Sequence, residues 1–349
     1  MKIEQLVRPH LLKLKPYSSA RDEFDGSDGV FLDANENPFG SVTSKPHNRY
    51  PDPHQREAKV KLAAIKRVQP KQIFLGNGSD EAIDLLIKVF CEPQKDAIMI
   101  LPPTYGMYKV CADIQNVKVI EVPLTEEFQI DVSAVESKLT SKVKMLWLCS
   151  PNNPSGNLLD DTSVLQLIKN NPDVIVVVDE AYVDFGNAES FIGKINEFEN
   201  LVVIQTFSKA WGMAGLRLGA AYSNEFIISV LNNIKYPYNL NQLTQEELVK
   251  ALDSFEKLPE IISQINSNKN WLKTELTKLS CVEKIYPSDS NQLLVKFNQA
   301  DELFEKLIRE LVIIRNRTKV QLCEGCLRIS IGTKSELETL IETIKKVTS

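Results

Sequence analysis

Residues 201–219 read LVVIQTFSKAWGMAGLRLG. The run 201–205 is apolar and β-branched up to Gln205, the pattern of a strand buried on both faces. Small and polar residues then carry Lys209 past the strand end, ahead of Gly212 and Gly215. A lysine delivered into a partly buried site is a candidate nucleophile toward a carbonyl. Taken alone, a surface lysine fits the same letters. The arrangement recurs on either side. The strand-like run 174–178 leads into DEAYVDF, 144–149 into SPNNPSG, and 72–75 into GNGSDEAID. Further strands are expected at 97–101 and 117–122, with helices at 80–90 and 161–169. Apolar strands alternating with helices predict a mostly parallel sheet in an α/β architecture. Ligands of such sheets lie just past the carboxyl ends of the strands. The four polar segments are therefore expected to share one edge.

The texture changes after about residue 241. Residues 245–279 read as one long charged amphipathic helix, interrupted near Pro259. Strands at 292–297 and 326–331 and a helix at 334–347 follow, which predicts a second, smaller α+β domain. Residues 26–53 hold several Pro, Asn and Asp residues and read as irregular. The expected division is an N-terminal arm, 1–27, joining the small domain; a large domain, 28–245; and the small domain, 246–349.

Composition bounds the function. The chain has 349 residues, 43% hydrophobic and 25% charged, within the globular range. Its net charge of −5 is spread without a long basic block, which argues against a dedicated nucleic-acid partner. The longest apolar runs, such as 174–178, are five residues; a membrane span needs about twenty. The N-terminus lacks the pattern of a signal peptide. Six cysteines are too sparse for a disulfide scaffold and fit a reducing cytoplasm. Cys323 and Cys326 form one CxxC, but the histidines, His10, His47 and His54, are far away in sequence, so no metal site is expected.

Each polar segment is modest alone. Gly78-Ser79-Asp80, opening a helix, offers backbone N–H groups to an anion, yet it also reads as an ordinary glycine turn with an N-cap. It lacks the dinucleotide fingerprint and the P-loop lysine. Asp179 alone could simply cap a loop. Together, Asn153 before Pro154, Asp179 with Tyr182, Ser208-Lys209 and Arg217 resemble the fold-type I pyridoxal-phosphate aminotransferases, over almost the whole chain. PYSSAR with Tyr17, LDANENPFG with Asn35, RYPDP with Tyr50, PTYGMY with Tyr105, and IIRNR…GCLRISIGT with Arg315 and Arg328 are similar to the histidinol-phosphate aminotransferase branch.

The resemblance implies pyridoxal 5'-phosphate as cofactor, with Lys209 bonded to it and serving as proton carrier. Asp179 would face the pyridine nitrogen. Asn153 and Tyr182 would meet the ring's phenolate oxygen, and Tyr105 would stack on the ring. Gly78, Ser79, Asp80, Thr206, Ser208 and Arg217 would hold the phosphate. Tyr50 would reach the phosphate of the neighbouring subunit's cofactor, so a homodimer with shared sites is implied. Tyr17, Asn35, Arg315 and Arg328 would bind substrate. The implied reaction is amino transfer between L-histidinol phosphate and 2-oxoglutarate. The runner-up is an aromatic (phenylalanine) aminotransferase, followed by a decarboxylase of phosphorylated amino acids. A non-catalytic regulator is disfavoured because both Lys209 and Asp179 are present.

Overall fold

The computed structural model describes residues 3–19, 29–43 and 45–348. The large domain contains strands β1 (Ile73–Asn77), β2 (Ala97–Ile100), β3 (Lys118–Glu121), β4 (Val143–Cys149), β5 (Ile175–Asp179), β6 (Leu201–Thr206) and β7 (Leu218–Tyr222). They form a seven-stranded sheet in the order β1-β7-β6-β5-β4-β2-β3. β7 runs antiparallel to its neighbours β1 and β6, and the pairings from β6 to β3 are parallel. The mostly parallel α/β sheet expected from the sequence is present. Side chains alternate between its two faces. Leu146, Leu148, Val176, Val178 and Val203 enter one core, whereas Met145, Trp147, Ile175, Val177 and Val202 enter the other. Both faces are covered, which is why these strands read as continuous apolar runs.

Helices α1 (Arg56–Lys66), α2 (Gly78–Phe90), α3 (Met107–Ile114), α4 (Val132–Lys138), α5 (Asp161–Asn170), α6 (Glu225–Ile234) and α7 (Gln242–Asp253) complete this domain. Asp160, Asn224 and Asn241 cap α5, α6 and α7 by accepting from the N–H groups of Ser163, Ile227 and Thr244 at 2.8, 3.0 and 2.9 Å.

The sequence reading had no strand at β7, because Leu-Gly-Ala-Ala carries little β preference. Small residues are what that position requires. Gly219 lies opposite Gly76 on one side and Thr206 on the other, and a Cβ there would sit 2.2 Å from Ser79 N and 2.3 Å from Gly78 C. The start of α2 thus rests on β7, and Gly78 turns into the helix at φ +72, a conformation that favours glycine.

Two boundaries differ from expectation. α7 packs on α1, with Leu248 and Leu252 beside Leu62 in the sheet's core, so it belongs to the large domain. The interruption expected near Pro259 is a 3-10 turn, Phe255–Lys257, and Pro259 itself lies in the first turn of α8 (Leu258–Leu276). A proline is tolerated there because its missing N–H has no intrahelical partner. The described part of the N-terminal arm joins the large domain, not the small one. Ile3, Leu6 and Val7 enter the core lined by α2 and α6, and Arg8 N–H donates to Val89 O at 2.9 Å. The rest of the 1–27 arm, residues 1, 2 and 20–27, lies outside the described residues.

The small domain holds α8, β8 (Val282–Ile285), β9 (Gln292–Phe297), α9 (Ala300–Arg309), β10 (Arg315–Asn316), β11 (Cys326–Ser330) and α10 (Lys334–Thr348). Its antiparallel sheet has the order β10-β11-β9-β8. Leu293, Val295, Leu327 and Ile329 pack against Leu272, Leu303, Leu307, Leu337 and Ile341 of the helices. Leu294, Cys323 and Cys326 instead join the large-domain core. Burial pushes the Cys323 and Cys326 thiols up to about 12 and about 11, the state of unreactive core thiols. Among the described residues no helix is long and apolar enough to cross a membrane.

The contact of β7 with α2 makes a prediction. Gly219→Ala should lower stability by about 1–3 kcal/mol, the usual cost of overpacking, read as a lower urea midpoint at unchanged slope. An unchanged midpoint would show that α2 can shift freely off β7.

Candidate active site

β1, β4, β5 and β6 point the same way, and their carboxyl ends deliver the four polar segments to one edge of the sheet. Asp179 is the last residue of β5 and is buried. It accepts from the Tyr108 hydroxyl and from Ala181 N–H at 3.0 Å. Burial pushes its carboxyl up to about 6, against these two bonds, which favour the charged form.

Tyr108 was not foreseen in the sequence. It is fully buried on α3, stacked on Trp147 with ring centroids 4.7 Å apart and edge-on to Tyr105 at 5.6 Å. The signal was available in PTYGMY, where a second aromatic follows Tyr105 by three residues, one helical turn.

The 150–156 segment is closed by Asn152. Its buried Nδ2 donates to Pro103 O at 3.0 Å and to Ser155 Oγ at 2.8 Å. That presents Asn153, which donates from Nδ2 to the Tyr182 hydroxyl at 3.3 Å and accepts from Arg328 at 2.6 Å. The Tyr182 ring lies 5.8 Å from Lys209 Nζ. Lys209 is held below the ordinary lysine value, first by burial and then by the nearby Arg328 and Arg217. A larger fraction of its amine is thereby neutral and nucleophilic.

A second group surrounds the start of α2. Arg217 donates to Ser208 Oγ at 3.4 Å and to Asp80 at 3.3 Å, and Tyr105 donates to the other Asp80 oxygen at 3.0 Å. Ser208 N–H donates to Thr206 Oγ1 at 3.1 Å, and Gly78 N–H to Arg217 O at 2.8 Å. Ser79 belongs here through the contact of its backbone N with Gly219. Arg217 is half exposed and its bonds are long, so a phosphate dianion at the helix start could take them over.

Glu180, also unforeseen, is buried and accepts from Ser190 Oγ, Phe191 N–H and Gln205 Nε2. Burial pushes its carboxyl up to about 7. It ties the segment after β5 to β6.

Arg328 comes from β11 of the small domain, with Arg315 directly opposite on β10. Tyr17, Asn35 and Tyr50 take no part in the hydrogen bonds above. Tyr17 is 75% exposed beside a cavity of about 220 Å³ that Pro53, His54 and Lys235 also line. Tyr50 is half exposed and stacks on Tyr238 at 4.4 Å. Asn35 is exposed, with φ 54. Tyr17 and Asn35 are both exposed in the single chain, and neither is among the described residues that line the cavity of Arg315 and Arg328.

The residues present fit pyridoxal phosphate. The site has a lysine of lowered basicity, a buried carboxylate to which no cation among the described residues is hydrogen-bonded, a hydroxyl and an amide side by side, and a guanidinium with hydroxyls at a helix start.

Comparisons with known proteins agree. The sequence profile described as aminotransferase class I and II matches residues 28–344. A histidinol-phosphate aminotransferase from Cytophaga hutchinsonii is 48% identical, and the alignment covers 98% of each chain. The structure of a histidinol-phosphate aminotransferase from Sinorhizobium meliloti in complex with pyridoxal-5'-phosphate has a TM-score of 0.80 at 21% identity, covering 90% of both chains. An L-threonine-O-3-phosphate decarboxylase from Porphyromonas gingivalis has a TM-score of 0.74 at 25% identity, covering 86% of this chain and 91% of its own. The fold is thus shared by enzymes of more than one reaction, and it is the full-length similarity in sequence that decides the family. The chain belongs to the class I and II aminotransferases, enzymes whose cofactor is pyridoxal phosphate.

Proposed function

We propose that this enzyme transfers the amino group between L-histidinol phosphate and 2-oxoglutarate, giving imidazole acetol phosphate and L-glutamate, a step of histidine biosynthesis. The observation that carries the reading is the chain of contacts from Arg328 through Asn153 to Tyr182. It places an anion-binding guanidinium against the cofactor's side of the site, where histidinol phosphate has a phosphate monoester and glutamate a carboxylate. The relative from Cytophaga hutchinsonii, named for the same activity, supports it.

Pyridoxal phosphate, when bound, supplies a carbonyl that exchanges oxygen for an amino group and a ring that withdraws electrons from the donor's Cα. Lys209 would hold the cofactor, and its amine, once free, would take the donor's Cα proton and give it back as general base and then acid. Asp179 would keep a negative charge for the ring nitrogen, and Tyr182 with Asn153 would donate to the phenolate oxygen. Arg217, Ser208, Thr206 and the backbone of Gly78, Ser79 and Asp80 would hold the phosphate, and Tyr105 would cover the ring. Arg328 binds the glutamate carboxylate in one half-reaction and, with Arg315, the histidinol phosphate in the other. The second substrate runs the same steps in reverse, which gives ping-pong kinetics.

A homodimer with shared sites belongs to this reading. Val30, Leu32, Phe39, Val42 and Tyr236 are almost wholly exposed, more apolar surface than scattered single residues would leave. A second copy covering this segment would bring Tyr50 to the neighbouring cofactor's phosphate and would give Tyr17 and Asn35 a site to line. The free cysteines, most of them buried, fit a cytoplasmic location.

Two experiments test the reading. Single-turnover loss of the visible cofactor absorbance should be at least ~100-fold faster with histidinol phosphate than with phenylalanine, because a site built to bond the phosphate leaves buried donors unpaired with an apolar ring. Equal rates would assign an aromatic aminotransferase, and carbon dioxide release from O-phosphothreonine a decarboxylase. In the second, a Lys209→Ala protein, expected to be inactive, is mixed with a weakened Tyr50→Phe protein. Random exchange of subunits should restore about a quarter of wild-type sites, since half of the dimers would carry one intact site. No gain on mixing would mean that Tyr50 serves no neighbouring site.

A further inference from the structure

β10 and β11 bring together more cationic side chains than the pair the sequence reading named. Arg315 lies directly opposite Arg328, and the ladder continues with Arg317 N–H donating to Cys326 O at 3.0 Å. Side chains alternate along a strand, so Arg315, Arg317 and Arg328 share one face. Leu327 and Ile329 leave by the other face into the small-domain core. The arginine face is turned toward the large domain, because Arg328 reaches Asn153 at 2.6 Å.

The Nε atoms of both Arg317 and Arg328 are buried and have no hydrogen-bond partner among the described residues. Burial first, and then repulsion from neighbouring guanidiniums, hold both side chains below the ordinary arginine value. The groups acting on Arg317 are Arg328, Arg315, Cys323 and Tyr182; those acting on Arg328 are Tyr182 and Arg315. Clustered cations with unpaired buried donors are unfavourable until an anion joins them. An occupant with two negative charges and three acceptor oxygens relieves more of that cost than a carboxylate does.

We propose that Arg317 is a third guanidinium of the substrate-anion subsite and tilts that subsite toward a phosphate dianion over a carboxylate. The proposal rests on the histidinol-phosphate reading and adds a residue that determines specificity. Arg317 cannot be replaced by lysine without loss, since a point charge lacks the Nε–H and the planar fork.

The test uses the enzyme loaded with cofactor, whose own phosphate site is then filled, and two non-reacting probes, inorganic phosphate and glutarate. Their dissociation constants are measured by calorimetry for the wild type, Arg317→Gln and Arg317→Lys. Arg317→Gln should weaken phosphate binding about tenfold or more and glutarate binding several times less, with Arg317→Lys between wild type and Gln for phosphate. The KM for histidinol phosphate should rise relative to that for glutamate. If both anions weaken alike in both variants, Arg317 is a structural prop and the proposal is overturned. It is also overturned if phosphate binding does not change. If inorganic phosphate fails to compete with histidinol phosphate on the wild-type enzyme, the substrate reading itself is wrong and the proposal falls with it. Competition in the wild type together with unchanged binding in Arg317→Gln removes the Arg317 proposal alone.

Discussion

A carboxylate held in an apolar core at the end of β5 sets the terms for everything around it. Asp179 is disfavoured as an anion by its burial, and the Tyr108 hydroxyl and Ala181 N–H offset part of that cost. Such a group is at ease when a cation comes beside it, and a protonated pyridine ring is one. The fold therefore has to fix a single point in space. Tyr108 is set by its stack on Trp147, itself buried in β4, so the packing of the sheet decides where the Asp179 oxygens lie. Glu180, one residue on, is consumed by Ser190, Phe191 and Gln205 and anchors the same segment from the other side. Adjacent buried carboxyls thus differ in role through their partners: one is saturated with donors, and the other is left with capacity for a cation.

The two domains meet at this point. Asn153 is bonded at once to Tyr182 of the large domain and to Arg328 of the small one. An anion taken by Arg328, as proposed, would thereby be linked to the residues that would face the ring oxygen. Because Arg328 and Lys209 repel one another electrostatically, an anion bound by Arg328 would also ease protonation of the lysine amine.

Much of this was legible in the sequence, for identifiable reasons. β4, β5 and β6 are buried on both faces, so their apolar runs stand out, and the polar segments after them mark the active edge. What stayed hidden lacked a local pattern. β7 is built of small residues because α2 rests on it, and smallness carries no strand signal. Tyr108 looked like one more helix aromatic until its hydroxyl was placed on Asp179. Arg317 was overshadowed by Arg315, although two residues along a strand return to the same face. α7 has the same charged texture as α8, and only its packing on α1 assigns it to the large domain. Tyr17, Asn35 and Tyr50 could be named by resemblance but not placed, since one chain leaves them on its surface.

The charge state of Asp179 in the cofactor-free protein tests the account most directly. With a carboxyl at about 6 in the folded chain and about 4 when unfolded, it binds its proton more tightly in the folded state. Its contribution to stability is full below about pH 4 and is lost as pH rises through about 6. Urea unfolding of the cofactor-free wild type and Asp179→Asn at about pH 5 and about pH 8 isolates it, because Glu180 and every other group are common to both. The wild type should lose about 1–2 kcal/mol relative to the variant between those two conditions. A difference that stays flat with pH, or that grows in favour of the wild type, would mean that Asp179 is an ordinary ionised carboxylate before any cofactor arrives, and would contradict the account.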